Sequence, residues 1–85
     1  MKIRRTESFL KDYKNLTAEI RTQVEKQLAL LLSNPRHPSL RTKKIQGTGR
    51  FEIRVTRGYR LTFRLAADVL ELRRVGTHDI LKKEV

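Results

Sequence analysis

Eighty-five residues carry 20 Lys and Arg against 9 Asp and Glu, a formal net charge of +11, with no cysteine. A chain this short supports one core, so a single domain over 1–85 is expected. The lack of cysteine excludes a disulfide scaffold and a thiolate metal site, and no apolar run approaches the roughly 18–20 residues of a membrane span.

The positive charge is concentrated. From Arg36 to Arg74 eleven basic residues face three acidic ones, Glu52, Asp68 and Glu71; from Met1 to Pro35 the count is seven against four. Such a block is the electrostatic footprint of a polyanion-binding surface. The competing reading is a solvated face, or one that awaits an acidic protein. Acidic lipid fits less well, because no amphipathic helix carries the excess. No signal peptide opens the chain, and a cytoplasmic protein is expected.

Lys2 to Thr6 reads as an edge strand. Thr6 is then an N-cap candidate, and Phe9, Leu10, Tyr13 and Leu16 recur at helical spacing. Thr17 is a second cap, after which Ile20, Val24, Leu28, Leu31 and Leu32 share one helical face. This helix should end near Asn34, because Pro35 disfavours helical geometry in the residue before it. Pro35 to Gly49 reads as a loop. Beyond it the periodicity changes to alternation in three runs: Phe51, Ile53, Val55; then Tyr59, Leu61, Phe63, Leu65; then Leu70 and Leu72. The predicted class is α+β with the order β-α-α-β-β-β, an antiparallel sheet carrying a helical hairpin on one face. Asp79 to Val85 is expected to be frayed, or ordered only by a partner.

The turns suggest a register. A three-residue loop, Thr56-Arg57-Gly58, pairs Val55 with Tyr59, Ile53 with Leu61 and Phe51 with Phe63, with Gly58 left-handed at a bulge. Arg54 then lies opposite Arg60 on the face away from the helices. A two-residue loop, Ala67-Asp68, pairs Leu65 with Leu70, Phe63 with Leu72 and Arg64 with Glu71. Continued, it sets Thr62 against Arg73, Leu61 against Arg74 and Val75 beside Arg60, an imperfect match that signals a bulge near Arg74. His78 leaves the last strand near the first hairpin. Like charges directly opposite on a sheet destabilise it by tenths to roughly 1 kcal/mol. Arg54 against Arg60, with Arg73 nearby, therefore suits an anion, whose phosphate oxygens the planar guanidinium fork matches.

The stretch Phe-Glu-Ile-Arg-Val-Thr-Arg-Gly-Tyr-Arg-Leu-Thr-Phe, followed by Val-Gly-Thr-His-Asp, resembles the RelE/ParE toxin superfamily. The Asn-Pro-Arg-His-Pro-Ser-Leu loop and the order of elements extend the likeness over nearly the whole chain. The resemblance implies a type II toxin paired with an antitoxin. Its RelE branch cleaves mRNA in the ribosomal A site without a metal, whereas its ParE branch poisons DNA gyrase. Arg60 matches the arginine that stabilises the phosphate, His78 the acid or base after the last strand, and Arg54 a basic residue of the second strand. Asp79 follows His78 where a tyrosine or second histidine is common. The loop holds His37, Lys43 and Lys44 where some branches hold a glutamate.

The implied chemistry is attack by the RNA 2′-OH to leave a 2′,3′-cyclic phosphate. Arg60 and Arg54 would stabilise charge; His78 would transfer a proton, with Asp79 positioned to orient its ring. Arg41, Lys43, Lys44, Arg57 and Arg73 are candidates for backbone phosphates. His37 is read as an ordinary loop residue. No cofactor is expected, and scattered His and acids make no metal cluster. The expected partners are an acidic antitoxin, the ribosome and mRNA. The alternatives are a non-enzymatic gyrase poison and an attenuated RNA-binding relative; no exposed aromatic pair supports base stacking by the latter.

Overall fold

The computed structural model describes residues 1–84. Strand β1 (Lys2–Arg5) leads into α1 (Glu7–Lys14) and α2 (Ala18–Ser33). A 3₁₀ turn (Pro38–Leu40) and the short strand β2 (Lys43–Ile45) follow. The chain then forms β3 (Arg50–Thr56), β4 (Tyr59–Ala66), β5 (Val69–Thr77) and a final 3₁₀ segment (His78–Glu84). The class is α+β as the patterning predicts, but the sheet has five strands in the order β1-β5-β4-β3-β2.

Two threonines start the helices. Thr6 Oγ accepts from Phe9 N at 3.2 Å and donates to Leu72 O at 2.8 Å, so one hydroxyl caps α1 and ties it to β5. Thr17 Oγ accepts from Ile20 N at 3.3 Å. The helices cover one sheet face around Phe9, Val24, Leu28, Leu40, Ile53, Leu61, Leu70, Leu72 and Val75, all nearly inaccessible to water. Leu10 and Leu32 were expected in the stripes but are exposed, while Gln27 is buried. At about 100° per residue, Leu32 lies roughly 90° from the face centred on Val24 and Leu31, and Gln27 lies closer to it.

The sheet departs from the expected one in four places. It is mixed rather than wholly antiparallel, because β1 runs parallel to β5, pairing Ile3 with Leu70 and Arg4 with Glu71. Lys43–Ile45, expected as loop, pairs with β3, Lys43 to Glu52 and Lys44 to Phe51. With only Ile45 apolar, it lacks the alternation that marks a strand. In the first hairpin Arg54 does stand opposite Arg60, and Phe51 opposite Phe63, but Thr56 rather than Val55 partners Tyr59. A bulge at Val55–Thr56 absorbs the offset within a two-residue turn, so Gly58 stays out of the left-handed region. In the second hairpin Leu65–Leu70, Arg64–Glu71 and Phe63–Leu72 hold, then the register shifts so that Thr62 pairs with Arg74, Leu61 with Val75 and Arg60 with Gly76. The inserted residue is Arg73, one position from the expected bulge, and it returns Val75 to the core.

Arg74 is thereby turned to α1. Asp12 takes its Nε at 2.7 Å and its Nη2 at 2.9 Å, and also accepts from Val75 N at 3.2 Å. The stretch after β5 is likewise anchored rather than frayed: Ile80 is buried, its side chain lying where a Cβ on Gly76 would be only 2.9 Å away. Val85 lies outside the described residues.

Candidate nucleic-acid interface

An apolar recess of about 270 Å³ is walled mainly by Met1, Leu31, Leu32, Phe51, Leu65 and other apolar groups. It offers almost nothing for polar chemistry. Charged and polar side chains gather instead around an open cleft of about 520 Å³ lined by Arg41, Thr42, Lys43, Glu52, Arg54, Arg57 and Arg60. Among the described residues five cations face one carboxylate there, a net lining charge of +4 (5 − 1), which focuses a positive field onto an entering anion.

Each wall has a local cause. Leu40 is fully buried and pins the 3₁₀ turn, while His37 Nδ1 accepts from Ser39 N at 3.1 Å and caps it. His37 thus has the ordinary structural part expected of it. Arg41 then takes φ 45 and ψ 48. A left-handed arginine is unfavourable by roughly 1–2 kcal/mol, a strain of the kind that collects at binding sites. β2 adds Lys43 beside Glu52. Across the hairpin, Arg60 Nη1 donates to Thr56 O, Arg57 O and Tyr59 O at 3.0–3.2 Å. The turn carbonyls therefore fix the guanidinium, and its Nε and Nη2 hydrogens have no partner among the described residues. Gln27 Nε2 reaches through the core to Arg54 O at 2.9 Å, holding β3 where the bulge begins.

Of the residues singled out in the sequence, Arg41, Lys43, Arg54, Arg57 and Arg60 come together in this cleft. Lys44 does not: it alternates with Lys43 and pairs with Phe51, toward the opposite face. Arg73 lies elsewhere on the open face, bonded to Glu71 at 2.9 Å. His78 follows Thr77, whose partner is Tyr59, so it stands at the same end of the sheet as the Arg57–Gly58 turn. It is exposed and outside the cleft lining. Asp79 is exposed too and makes no hydrogen bond to His78 among the described residues. Sequence reasoning missed Gln27 and Glu52. Glu52 is buried and is, among the described residues, the one carboxylate lining the cleft; its pairing with Thr62 was legible, but β2, which closes the wall beside it, was not.

The open face is less open than alternation suggests, since Glu52, Thr62 and Glu71 are all buried there. Burial alone would raise the Glu71 carboxyl. The hydrogen bond from Arg73 and the charges of Arg64, Arg73 and Arg4 outweigh it and hold Glu71 below the usual carboxylate range. No aromatic ring is offered for base stacking on that face: Phe51 and Phe63 stack on each other at 5.5 Å against the core, and Tyr59 packs on its margin. Among the described residues no three His, Cys, Asp or Glu gather as metal ligands, and no helix is long and apolar enough to cross a membrane.

A mixed five-stranded sheet with two helices packed on one face is the fold of the RelE-like toxins, and it is the fold of this chain. The similar solved structures include the YoeB/ParE toxin of Agrobacterium tumefaciens, with a TM-score of 0.78 at 20% identity over 92% of this chain and 99% of that one. YafQ of E. coli strain BL21(DE3) superposes with a TM-score of 0.76 at 24% identity, covering 93% and 94%. The intact E. coli RelBE toxin–antitoxin complex gives a TM-score of 0.72 at 25% identity, covering 89% and 94%. No family model and no curated protein matches the sequence.

Proposed function

We propose that this chain is the toxin of a type II toxin–antitoxin pair and a metal-independent endoribonuclease that cuts mRNA on the ribosome. The observation that carries the reading is Arg54 directly opposite Arg60 in a cleft of net positive charge, an arrangement that works against folding and in favour of a bound phosphate. Arg60 meets the scissile phosphate with a guanidinium already fixed by the turn, so little reorganisation accompanies the build-up of charge on the phosphorane. Arg54 shares that charge, while Arg41, Lys43 and Arg57 hold flanking phosphates. The 2′-OH gives its proton to a base and attacks phosphorus, and the 5′ oxygen leaves with a proton from an acid. His78 and Glu52 are the two proton-transfer candidates, Glu52 in the lining of the cleft and His78 just beyond β5. His78 reaches the phosphate only once RNA or ribosome seats against the end of β5. The partner that restrains this surface is an acidic antitoxin, in keeping with the RelBE complex among the similar structures.

Primer extension on ribosome-bound mRNA tests the reading. Wild type should cut in the A site; Arg60→Ala should slow cutting by about 10²–10³-fold, the usual loss for one preorganised donor. His78→Ala and Glu52→Gln then decide which group moves the proton. No cutting by wild type, with ribosomes and salt varied, overturns the nuclease. The placement of His78 outside the cleft favours one second reading, a gyrase poison in the manner of ParE, and DNA supercoiling by gyrase is the assay for it.

A further inference from the structure

A second cationic cluster lies on the open face, away from the cleft. Glu71 on β5 has Arg4 directly across on β1 and Arg64 directly across on β4, with Arg73 two residues along its own strand. Its carboxylate meets Arg4 Nη1 at 3.2 Å, Arg64 Nε at 3.4 Å and Arg73 Nη1 at 2.9 Å. One buried carboxylate needs one arginine; here three converge, and Arg4 and Arg64 do so from the solvent side. The side chains of Arg4 and Arg64 remain 70% and 47% exposed, whereas that of Glu71 is only 8% exposed. A guanidinium carries five N–H donors, and the contact with Glu71 occupies few of those on Arg4 and Arg64. The carboxylate thus sits beneath a patch of donors that faces solvent.

The patch is also aligned with the cleft. Arg60 and Arg64 lie on one strand with Thr62 between them, so all three project to the open face. At about 3.3 Å per residue, Arg64 is roughly 13 Å from Arg60. A single strand lying along β4 from the cleft passes Arg73 on the neighbouring strand and then reaches Arg64, with Arg4 level with it across β5.

We infer that Arg4 and Arg64, set in place beside Arg73 by Glu71, form a second phosphate-binding site that takes a backbone phosphate of the same RNA strand held in the cleft. The inference rests on the RNA reading above. Glu71 is a positioning residue in it: its negative charge repels RNA, yet it gathers the three arginines that bind it.

That opposition supplies a test by sign. Binding of a fluorescein-labelled single-stranded RNA oligonucleotide is followed by anisotropy across a salt series, with thermal melts run on each variant. Arg4→Gln and Arg64→Gln should each lower the slope of log affinity against log salt by about 0.7, which is about fourfold weaker binding at 0.15 M relative to 1 M. Glu71→Gln raises the net charge by one, so simple attraction predicts tighter binding; loss of the ordered site predicts binding weaker by about fourfold or more. Unchanged slopes in Arg4→Gln and Arg64→Gln, or tighter binding by a folded Glu71→Gln, overturn the inference. If Glu71→Gln does not fold, the two arginine variants decide alone. Arg54→Gln is the reference: RNA binding weakened there but not at Arg4 or Arg64 sinks this site alone, and no RNA binding by wild type sinks the function itself. Arginine variants that keep RNA affinity but lose affinity for an acidic peptide would assign the patch to a protein partner instead.

Discussion

Replacing Arg54 by Met separates what the charged pair does for folding from what it does for binding. Arg54 and Arg60 are directly opposed on neighbouring strands and both half-buried. Side chains so placed stand about 5 Å apart at their bases, and like charges no closer than that repel in water by at most about 0.8 kcal/mol. The turn carbonyls that hold the Arg60 guanidinium relieve part of this. Methionine keeps the apolar stem of arginine, and the Gln27 bond goes to the Arg54 carbonyl and survives. Arg54→Met should therefore stabilise the fold by about 0.5 kcal/mol at low salt, against a total of roughly 4–13 kcal/mol for a chain of this size. Urea unfolding at about 20 mM and about 1 M salt measures it. The gain should vanish at the higher salt, where the screening length is about 3 Å. In parallel, RNA affinity should fall about fourfold at 0.15 M. Destabilisation at low salt, or a gain that persists in about 1 M salt, would refute the reasoning.

Asp12→Ala removes both bonds to the Arg74 guanidinium and the acceptor for Val75 N. The two side chains are 18% and 22% exposed, so the loss should be about 2–3 kcal/mol, below the 3–5 kcal/mol typical of wholly buried pairs. Urea unfolding showing less than about 1 kcal/mol would remove this latch from the account of how α1 is held. Acid should also unfold the protein in a defined direction. Glu71 and Glu25 both titrate below the ordinary carboxylate value when folded, Glu25 through its hydrogen bond from Arg5. A depressed folded pKa gives stability that is present above the unfolded value and is lost as pH falls through the folded one. Melting temperature should be level near pH 6 and decline below about pH 4.3, and Glu71→Gln should shallow the decline; a rise in that range contradicts the ion-pair assignment.

Local signals carried much of this structure. The caps at Thr6 and Thr17, the stop at Asn34 and the pairing of Arg54 with Arg60 all follow from residues near in sequence. What stayed hidden depends on contacts between distant segments. β2 is an edge strand with one apolar residue, so only its partner β3 reveals it. The bulges at Val55 and Arg73 each shift a ladder by one residue, and a polar–apolar alternation shows that a shift exists more readily than where it falls. The left-handed Arg41 follows from Leu40 being driven into the core, and the burial of Gln27 goes with its hydrogen bond to the Arg54 carbonyl beside a bulge. For the site, the arginine pair was legible from register. The enclosing wall of Arg41, Thr42 and Lys43 was not, nor was the position of His78 outside it.

The parallel pairing of β1 with β5 sets a timetable for synthesis. Arg4 and Glu71 are 67 positions apart, so at about 5–20 residues per second the first strand waits roughly 3–13 s for its partner to be made. Until then Ile3 and the Phe9 face of α1 have no β5 to cover them. Hairpins β3–β4 and β4–β5 close from neighbouring residues, but the seat of the first fourteen residues is formed last. An unfinished chain therefore holds the cleft residues before it holds the fold that stabilises them, and Glu71 gathers Arg4 only at the final step.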